Sequence, residues 1–162
     1  MNHKDREITN FDEIVAVLDK CDTVRIGING EKYPYVVPVS FGWEVADGKL
    51  VIYIHGAMEG MKNELIAKDP NVCVEADIMR GFVSSGFKTT ADYESVIGFG
   101  RAEIAEGDEA VKGIELLMAH CGQPGYDGKP CIMMGVTRVY KISLESVTGK
   151  RRFTADEPEV WS

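Results

Sequence analysis

The chain has 162 residues, a mass of 17.9 kDa and a formal net charge of −8, with 44% hydrophobic and 27% charged residues. This composition is typical of a globular domain that is large enough to bury its own core. The acidic balance argues against a role on nucleic acid or on an anionic membrane surface, because both of those partners carry phosphate. A single bound phosphate needs only a local pocket and remains compatible with the charge.

The sequence shows no targeting segment and no metal-binding pattern. No run approaches the roughly 20 apolar residues that span a bilayer, and the charged residues 1–7 lack the apolar part of a secretory signal. The four cysteines are scattered without a CxxC pair or a Cys/His cluster. We therefore expect a cytoplasmic protein with reduced thiols and no metal site.

Three segments are predicted to be helical, over residues 11–20, 58–68 and 108–120. Asn10 precedes the first segment and predicts an N-cap, with Glu13 as its capping-box partner. Asp69-Pro70 ends the second segment, because a residue before proline is biased away from helical geometry. We expect these helices to pack outside a sheet.

Strand patterns occupy most of the remaining chain. Apolar and polar residues alternate with period two over residues 23–28, 33–41, 50–55, 71–78, 93–105 and 131–144. Asn29-Gly30 and Asp47-Gly48 predict two-residue hairpin turns. Pro34 and Pro38 require an edge position or an irregularity in the second strand. Residues 79–92 contain glycine and little periodicity, so we expect a long loop there.

The order of these elements predicts the fold class. Antiparallel strands joined by hairpins, with helices at intervals and no regular βαβ alternation, indicate an α+β protein built on an antiparallel β-barrel. We expect six or more strands and about three flanking helices. No linker or repeat divides the chain, so residues 3–152 are predicted to form one domain, followed by a short loose tail over residues 153–162.

The most informative segment for function is the turn from His55 to Lys62. A predicted strand ends at His55, and the chain then passes two glycines and reaches Lys62 near a helix start, where free N–H groups favour an anion. A phosphate beside Lys62 is one interpretation, and a solvated lysine next to an ordinary glycine turn is the other. His55 is a candidate for binding a ligand, transferring a proton or capping the turn. No P-loop, dinucleotide fingerprint or nucleophile elbow occurs.

Five short motifs occur in order along the chain. They are KDREI at residues 4–8, PYVVPVSF at 34–41, YIHGA with GMK within 53–62, SVIGFG at 95–100 and VTGKR at 147–151. Together they resemble the 5-nitroimidazole-resistance branch of the pyridoxamine 5′-phosphate oxidase-like flavoproteins, over nearly all of residues 4–152. The resemblance implies a split β-barrel that forms a homodimer and binds FMN at the subunit interface.

The resemblance also implies which residues bind the cofactor. These residues are Pro38, Val39, Ser40, Phe41, His55, Met61, Lys62, Ser95, Val96 and Lys150. The backbone of the 38–41 segment would line the isoalloxazine ring, and the turn at Lys62 would hold the phosphate. Ser95 and Val96 would approach the flavin from the same or the other subunit. His55 would lie near the reactive face of the flavin as the catalytic residue.

The sequence departs from the family pattern at two of these positions. Ser40 stands where asparagine is common, and Met61 stands where a basic or polar residue often precedes the lysine. The second change leaves fewer side-chain charges for the phosphate. Lys150 or Arg151 could compensate for this charge, whereas the default interpretation of the basic run at 150–152 is a solvated surface.

The activity that the resemblance implies is flavin-dependent reduction of small electron-poor substrates such as nitroaromatics. A small-molecule donor such as NADH or NADPH would load the flavin, and His55 would orient the substrate or supply a proton. One alternative is a non-catalytic flavin- or haem-binding module, with His55 as the axial haem ligand. Two others are a true pyridoxamine 5′-phosphate oxidase, whose C-terminal substrate segment finds no match, and a ligand-free interaction protein that uses residues 79–92.

Overall fold

The computed structural model describes residues 4–85 and 87–153, and these form an antiparallel sheet with helices outside it. The strands are β1 (Glu7–Ile8), β2 (Val24–Ile28), β3 (Tyr35–Val39), β4 (Phe41–Ala46), β5 (Lys49–Ala57), β6 (Asn71–Ser85), β7 (Lys88–Ala105) and β8 (Thr137–Arg152). After a short 3-10 turn at Lys4–Arg6, the helices are α1 (Phe11–Asp19), α2 (Met61–Lys68), α3 (Gly107–His120) and α4 (Lys129–Met133). The predicted α+β class is therefore confirmed. The start of the predicted domain at residue 3 and the predicted tail beyond Phe153 lie outside the described residues.

The sheet is curled into an open barrel. Its strands pair in the order β3-β2-β6-β7-β8-β5-β4, and β1 pairs with β8. A flat sheet of this order would hold β3 and β4 about 29 Å apart, at roughly 4.8 Å per strand. Ser40 alone separates the two strands in sequence, so their ends lie within about 7 Å of each other. The two edges therefore meet at Ser40, and within the described residues no ladder joins them. This junction, the seam, makes the fold a split β-barrel.

The core fills the barrel and the space beneath the helices. The barrel interior is lined by fully buried residues from several strands, among them Ile26, Phe41, Ile52, Ile54 and Ile142. A second cluster lies on the other face of β5 and β8, where Tyr53 and Val139 pack against Ile114 of α3. Residues of opposite parity on β5 are thus buried on both faces. Within the described residues, no helix is long and apolar enough to cross a membrane.

Several local predictions are confirmed. Asn10 caps α1, because its side chain accepts hydrogen bonds from the backbone N–H groups of Asp12 and Glu13 at 2.8 and 3.3 Å. The predicted capping box is not formed, because the carboxylate of Glu13 accepts from Arg151 of β8 and, in the described residues, not from the backbone N–H of Asn10. Asp47 and Gly48, with φ of 51° and 72°, form the turn between β4 and β5.

The second strand is partly as predicted. β3 is an edge strand, which accommodates Pro38. The predicted strand over residues 33–41 is interrupted at Ser40, because the chain crosses there from one edge of the sheet to the other. β2 and β3 do form a hairpin, but the ladder ends at the pair Ile28 and Tyr35, so residues 29–34 close it. The predicted two-residue turn at Asn29-Gly30 is wrong.

The prediction of a long loop over residues 79–92 is also wrong. β6 and β7 pair continuously through this region, with a register shift between Met79 and Gly81. Gly81, with φ of 145°, accommodates the bulge, which shifts the alternation of side chains and so hides the strand pattern in the sequence. We refer to the ribbon in which residues 81–85 pair with residues 88–92 as the arm.

The strand predicted over residues 131–144 begins too early and ends too soon. Residues Lys129–Met133 form α4, with Pro130 in its first turn, where a missing N–H costs no hydrogen bond. Gly135, with φ of 64°, then turns the chain into β8. Because β8 continues to Arg152, the basic run at 150–152 is part of the sheet.

Candidate functional site

The turn between β5 and α2 is open at the start of the helix. Gly60 is the N-cap of α2, with φ of 124°, and no side chain caps the helix. The carbonyl oxygen of Gly60 accepts from the backbone N–H groups of Asn63 and Glu64 at 2.9 and 3.2 Å. The N–H groups of Met61 and Lys62 precede these and have no intrahelical acceptor. The turn therefore presents backbone donors to an anion.

Asn63 fixes this turn against the sheet. Its side chain is buried; Nδ2 donates to the carbonyl oxygen of Ala57 at 2.9 Å, and Oδ1 accepts from the Tyr140 hydroxyl at 3.0 Å. The first turn of α2 is thereby held to the end of β5 and to β8. The sequence analysis did not identify Asn63. Its polarity, at a position between the glycine turn and the apolar face of the helix, is the one feature of the sequence that could have indicated its role.

Lys62 folds back over β5. Its Nζ donates to the carbonyl oxygen of His55 at 3.2 Å and lies 6.0 Å from the centroid of the Tyr140 ring. An added Cβ at position 56 would lie 2.7 Å from Nζ, so a side chain there would displace the end of Lys62 from this position. Burial lowers the pKa of Lys62. Within residues 4–85 and 87–153, no carboxylate forms an ion pair with this half-buried ammonium.

Arg138 is a second cation at the same place, and the sequence analysis missed it. It stands directly opposite Gly56 in the ladder between β5 and β8. Paired residues on antiparallel strands project from the same face, so Arg138 leaves the sheet on the face that Lys62 covers. It is half-buried, and no ion pair to it occurs in the described part of the chain. In the sequence, Arg138 falls on the same strand parity as Tyr140 and Ile142, which predicts a residue that faces the core. The alternation pattern therefore gave no sign that Arg138 lies beside Lys62.

His55 lies on the opposite face of β5, next to Val139 of β8. Its side chain is exposed to solvent at one side and has no hydrogen bond to another described residue. Partial desolvation, and then the positive charge of Lys62, lower the pKa of His55 below its ordinary value of 6.5. The imidazole is therefore neutral at pH 7. The described residues contain no group of side chains that would hold a metal ion.

A second group of predicted residues lies on the outward face of the sheet. Ser95 of β7 pairs with Asp77 of β6 on one side and with Lys150 of β8 on the other. Two residues further along β7, Ile97 is connected to Pro38 of β3 through paired residues of β6 and β2. These side chains share one face with the exposed apolar side chains of Val36, Met79, Ile97 and Phe99. We refer to this side of β3, β2, β6, β7 and β8 as the outer face.

Two predicted residues are buried in the core, and a third, Val39, is partly buried against it. Val96 packs against Ile8, Ile14 and Val17, and Phe41 is fully buried, with its ring centroid 4.4 Å from that of His120. Neither side chain can reach a ligand outside the barrel. Any contact from these positions would come from the backbone, as the resemblance implies for the 38–41 segment.

The two groups are far apart within one protomer. His55 pairs with Val139 and Ser95 pairs with Lys150 on the same strand, β8. Eleven residues separate positions 139 and 150 near opposite ends of β8, which gives an upper limit of roughly 36 Å at about 3.3 Å per residue, and the curl of the barrel shortens it. The structure thus brings Phe41, His55, Met61 and Lys62 to one region, and Ser95, Val96 and Lys150 to another. Arg151 is engaged by Glu94 and Glu13, so neither it nor Lys150 stands beside Lys62 in one protomer.

Comparison with known proteins gives a family and several structural relatives. A family model described as pyridoxamine 5′-phosphate oxidase matches residues 10–151. A solved structure of a candidate 5-nitroimidazole antibiotic resistance protein from Bacteroides thetaiotaomicron VPI-5482 is 26% identical, with a TM-score of 0.77, and the match covers 89% of this chain and 85% of that one. A comparison with curated proteins gives no match.

Two further solved structures share the fold at lower identity. The flavocytochrome from Azotobacter vinelandii is 20% identical, with a TM-score of 0.73, and the match covers 98% of this chain and 76% of that one. The FAD and haem binding protein from Mycobacterium smegmatis is 16% identical, with a TM-score of 0.76, and the match covers 94% of this chain and 76% of that one.

Proposed function

The chain belongs to the pyridoxamine 5′-phosphate oxidase family, as its motifs predicted, and from this premise we propose that it binds FMN as a homodimer and reduces small electron-poor substrates such as nitroaromatics. The proposal has three parts, which are a phosphate site, a neutral histidine and a second copy of the chain. Each part is supported by a different feature of the molecule.

The observation that carries the proposal is the unbalanced positive charge at the β5–α2 turn. Lys62 and Arg138 lie on the same face around Gly56, beside the free N–H groups of α2. A phosphate monoester matches this donor set, because it carries up to two negative charges and three acceptor oxygens. Met61 is exposed and would contribute only its backbone N–H. Arg138 would then supply the charge that Met61 lacks.

The chain's own groups suit a flavin that is held in this way. When bound, FMN would supply the electron transfer. The neutral imidazole of His55 would donate a hydrogen bond from its protonated ring nitrogen to the substrate and so orient it. The backbone at the seam, residues 38–41, would provide a flat surface for the ring, since its one fully buried side chain, Phe41, points into the core.

A second copy of the chain completes the proposal. Ser95 and Lys150 are expected to contact the same flavin as Lys62, yet they lie on the outer face at the other end of β8. A partner packed on the outer face would bring its Ser95 to the first protomer's phosphate site, and the two sites would be equivalent by two-fold symmetry. The same contact would cover Ile97 and Phe99, whose exposure is otherwise unfavourable.

The first experiment is the visible absorbance spectrum of purified protein, before and after adding FMN and desalting. We expect retained flavin bands that correspond to about one FMN per chain. Lys62→Met should weaken FMN binding about 10- to 100-fold, because a charge-assisted hydrogen bond contributes roughly 1.5–3 kcal/mol. Binding of riboflavin, which has no phosphate, should not change.

Lys68→Met is the matched control for this experiment. Lys68 lies on the same helix but is exposed and paired with Glu31 at 2.6 Å. Loss of FMN with Lys68→Met, or an equal loss of riboflavin with Lys62→Met, would contradict the phosphate site. If the loaded protein shows no reduction of nitroaromatics by NADH or NADPH, the reductase activity is wrong and flavin binding alone remains.

Haem binding is the second candidate, and His55 is the observation that favours it. Its imidazole is neutral, accessible and without a hydrogen-bonding partner in the described part of the chain. Two proteins with the same fold are a flavocytochrome and an FAD and haem binding protein. A Soret band on adding haem, lost in His55→Ala, would support this candidate. Retained flavin without any Soret band would support the first.

A further inference from the structure

The two edges of the sheet that meet at the seam are not joined by a ladder in the described residues. On one edge, β3 ends at Val39, which pairs with Val24 at the start of β2. On the other edge, β4 begins at Phe41, which pairs with β5. The spacing of the two edges, and with it the backbone of residues 38–41, therefore depends on Ser40 and on the side chains beside it.

The C-terminal half of α3 packs directly against the start of β4. A Cβ added at Gly42 would lie 2.6 Å from the carbonyl carbon of Leu116 and still closer to the backbone nitrogen of Leu117. Because these are backbone atoms of the helix, a side chain at position 42 would push α3 away from β4. This close approach brings His120, the last residue of α3, to the seam.

His120 contacts both edges of the seam. Its side chain is only 10% exposed. On the β4 side, its ring lies against the ring of Phe41, with the centroids 4.4 Å apart and the planes inclined by 49°. On the β3 side, its Nε2 donates to the carbonyl oxygen of Cys21 at 2.9 Å, and Cys21 leads into β2, whose Val24 pairs with Val39. His120 thus bridges two edges that are not paired with each other.

A second contact joins the same elements. Trp43 of β4 donates from Nε1 to Oδ1 of Asp19, at the end of α1, at 3.2 Å. The same carboxylate oxygen lies 3.8 Å from Nδ1 of His120. The end of α1, the start of β4 and the end of α3 therefore meet next to the seam.

We propose that His120 is a positioning residue for the flavin ring. By contacting Phe41 and the carbonyl oxygen of Cys21 together, it fixes the spacing of the two edges and so the path of residues 38–41. It acts through β4 and β2 and not by contact with the flavin. This inference rests on the proposed function, which assigns the backbone of residues 38–41 to the isoalloxazine ring. A surface that is already held in its bound conformation binds more tightly, because binding does not have to order it.

Three variants of His120 test this role through the affinities of riboflavin and FMN. His120→Ala removes both contacts, His120→Phe keeps a ring against Phe41, and His120→Gln keeps an N–H donor for the carbonyl oxygen of Cys21. We expect His120→Ala to weaken riboflavin and FMN equally, by at least about tenfold, because the two ligands share the ring. The two conservative variants should each recover part of the affinity. Lys62→Met, by contrast, should weaken FMN alone.

Leu50→Ala is the matched control for a general loss of stability. Leu50 is fully buried in the barrel at the hairpin end of β5, whereas Phe41 lies at the opposite end of β4. Truncating Leu50 leaves a cavity and lowers the free energy of unfolding without altering the contacts of the seam. The folded Leu50→Ala protein should therefore bind riboflavin as the wild type does.

Amide hydrogen exchange gives a readout that needs no flavin. In the flavin-free protein, His120→Ala should speed exchange at residues 39–43 by at least about tenfold more than at residues 71–78 of β6, because it loosens the seam locally. Leu50→Ala should show no such local excess at residues 39–43. An equal change at both segments in His120→Ala would indicate general destabilisation and would overturn the positioning role.

The binding outcomes separate this inference from the proposed function. Wild-type protein that binds neither FMN nor riboflavin would overturn both. If the wild type binds FMN, three results would overturn the positioning role alone: an unchanged riboflavin affinity in His120→Ala, a loss confined to FMN, or an equal loss in Leu50→Ala. If His120→Ala does not fold, His120→Phe and His120→Gln take its place, and wild-type riboflavin affinity in both would overturn the role.

Discussion

Most buried or half-buried charged side chains in the described residues form ion pairs, but Lys62 and Arg138 at the β5–α2 turn, and Lys150 and Arg152 near the end of β8, do not. The Glu109 carboxylate receives hydrogen bonds from the Tyr53 hydroxyl and from Lys141, which lower the pKa of Glu109 to about 2. By contrast, Lys62 and Arg138 have no carboxylate partner in the described residues. Burying a charge without a counterion is unfavourable. A bound anion would offset this cost for Lys62 and Arg138.

Arg138→Met should weaken FMN binding about tenfold, because it removes one charge-assisted contact to the phosphate. Riboflavin binding should be unchanged, and both affinities can be measured by fluorescence quenching of the flavin. Arg101→Met is the control, since Arg101 is exposed on β7 and is hydrogen-bonded to Asn71. An Arg138→Met chain that binds FMN as the wild type does would remove Arg138 from the site.

Reduction of the acceptor should depend on the protonation of His55. Desolvation and the charge of Lys62 hold the pKa of His55 below 6.5, so the ring is neutral at pH 7 and becomes charged as the pH falls through that lower pKa. For protein already loaded with FMN, we expect kcat to fall over this acidic range, if the neutral ring is the one that orients the acceptor. His55→Gln should lower kcat and abolish this pH dependence. An identical pH profile in the variant would exclude His55 as its origin.

The sequence reveals some residues of the candidate site and conceals others. His55 and Lys62 are identifiable because the strand end, the glycines and the helix start all fall within one short segment. Arg138 is not, because only the β5–β8 register places it opposite Gly56, and no local pattern encodes that register. The distance between Ser95 and Lys62 is likewise invisible until the strand order is known.

At the scale of secondary-structure elements, the buried carboxylate of Glu94 links three strands and one helix through hydrogen bonds. Glu94 of β7 accepts from Arg80 of β6 at 2.6 Å and from Arg151 of β8 at 2.8 Å, and Arg151 also reaches Glu13 of α1. Burial raises the pKa of Glu94, but the hydrogen bonds and charges of the two arginines outweigh it, so the pKa lies below its ordinary value of 4.5. The network holds the base of the arm to the barrel.

Glu94→Gln should lower the free energy of unfolding by about 3 kcal/mol, because it leaves the half-buried guanidinium group of Arg80 without a counterion and that of Arg151 with Glu13 alone. The stabilisation from Glu94 is fully present above pH 4.5 and is lost as the pH falls through the lower folded-state pKa. The difference between wild type and variant in urea unfolding should therefore shrink in acid. Glu31→Gln, at an exposed and solvent-screened pair with Lys68, should change the free energy of unfolding far less than Glu94→Gln does.

Local signals predicted the elements that are locally determined. α1, α3 and the turn at Asp47-Gly48 each have their own cap, stripe or turn residues. The arm and α4 were missed for different physical reasons. A bulge interrupts the alternation at the base of the arm, and α4 has five residues, too few to show a helical period.

For the whole molecule, the outer face is the surface on which the proposed dimer depends. Ile97→Lys with Phe99→Lys should dissociate the dimer, because two charges per protomer would be buried in the contact. Retention of FMN should fall in parallel, since Ser95 of the partner would no longer reach the site. Sedimentation and flavin content together measure both effects.

Ile104→Lys is the control for this prediction. Ile104 is on the same strand and is similarly exposed, but its parity places it on the other face of the sheet. Its substitution should leave the sedimentation coefficient unchanged; flavin content is not the control readout, because Ile104 pairs with Tyr140 on the face that Lys62 covers. Dissociation by Ile104→Lys, or an intact dimer after Ile97→Lys with Phe99→Lys, would place the interface elsewhere.

The seam at Ser40 is a position at which the chain could be circularly permuted. No ladder crosses the seam in the described residues, while Glu7 and Lys150 are neighbours in β1 and β8. A circular permutant that opens the chain at Ser40 and bridges the original ends would therefore keep all the described strand pairings. Its barrel would be expected to fold, but residues 38–41 would no longer be covalently held beside His55. We expect the permutant to keep the fold and to lose flavin binding. This result would show that the sheet folds without the covalent connection at Ser40, whereas flavin binding depends on it.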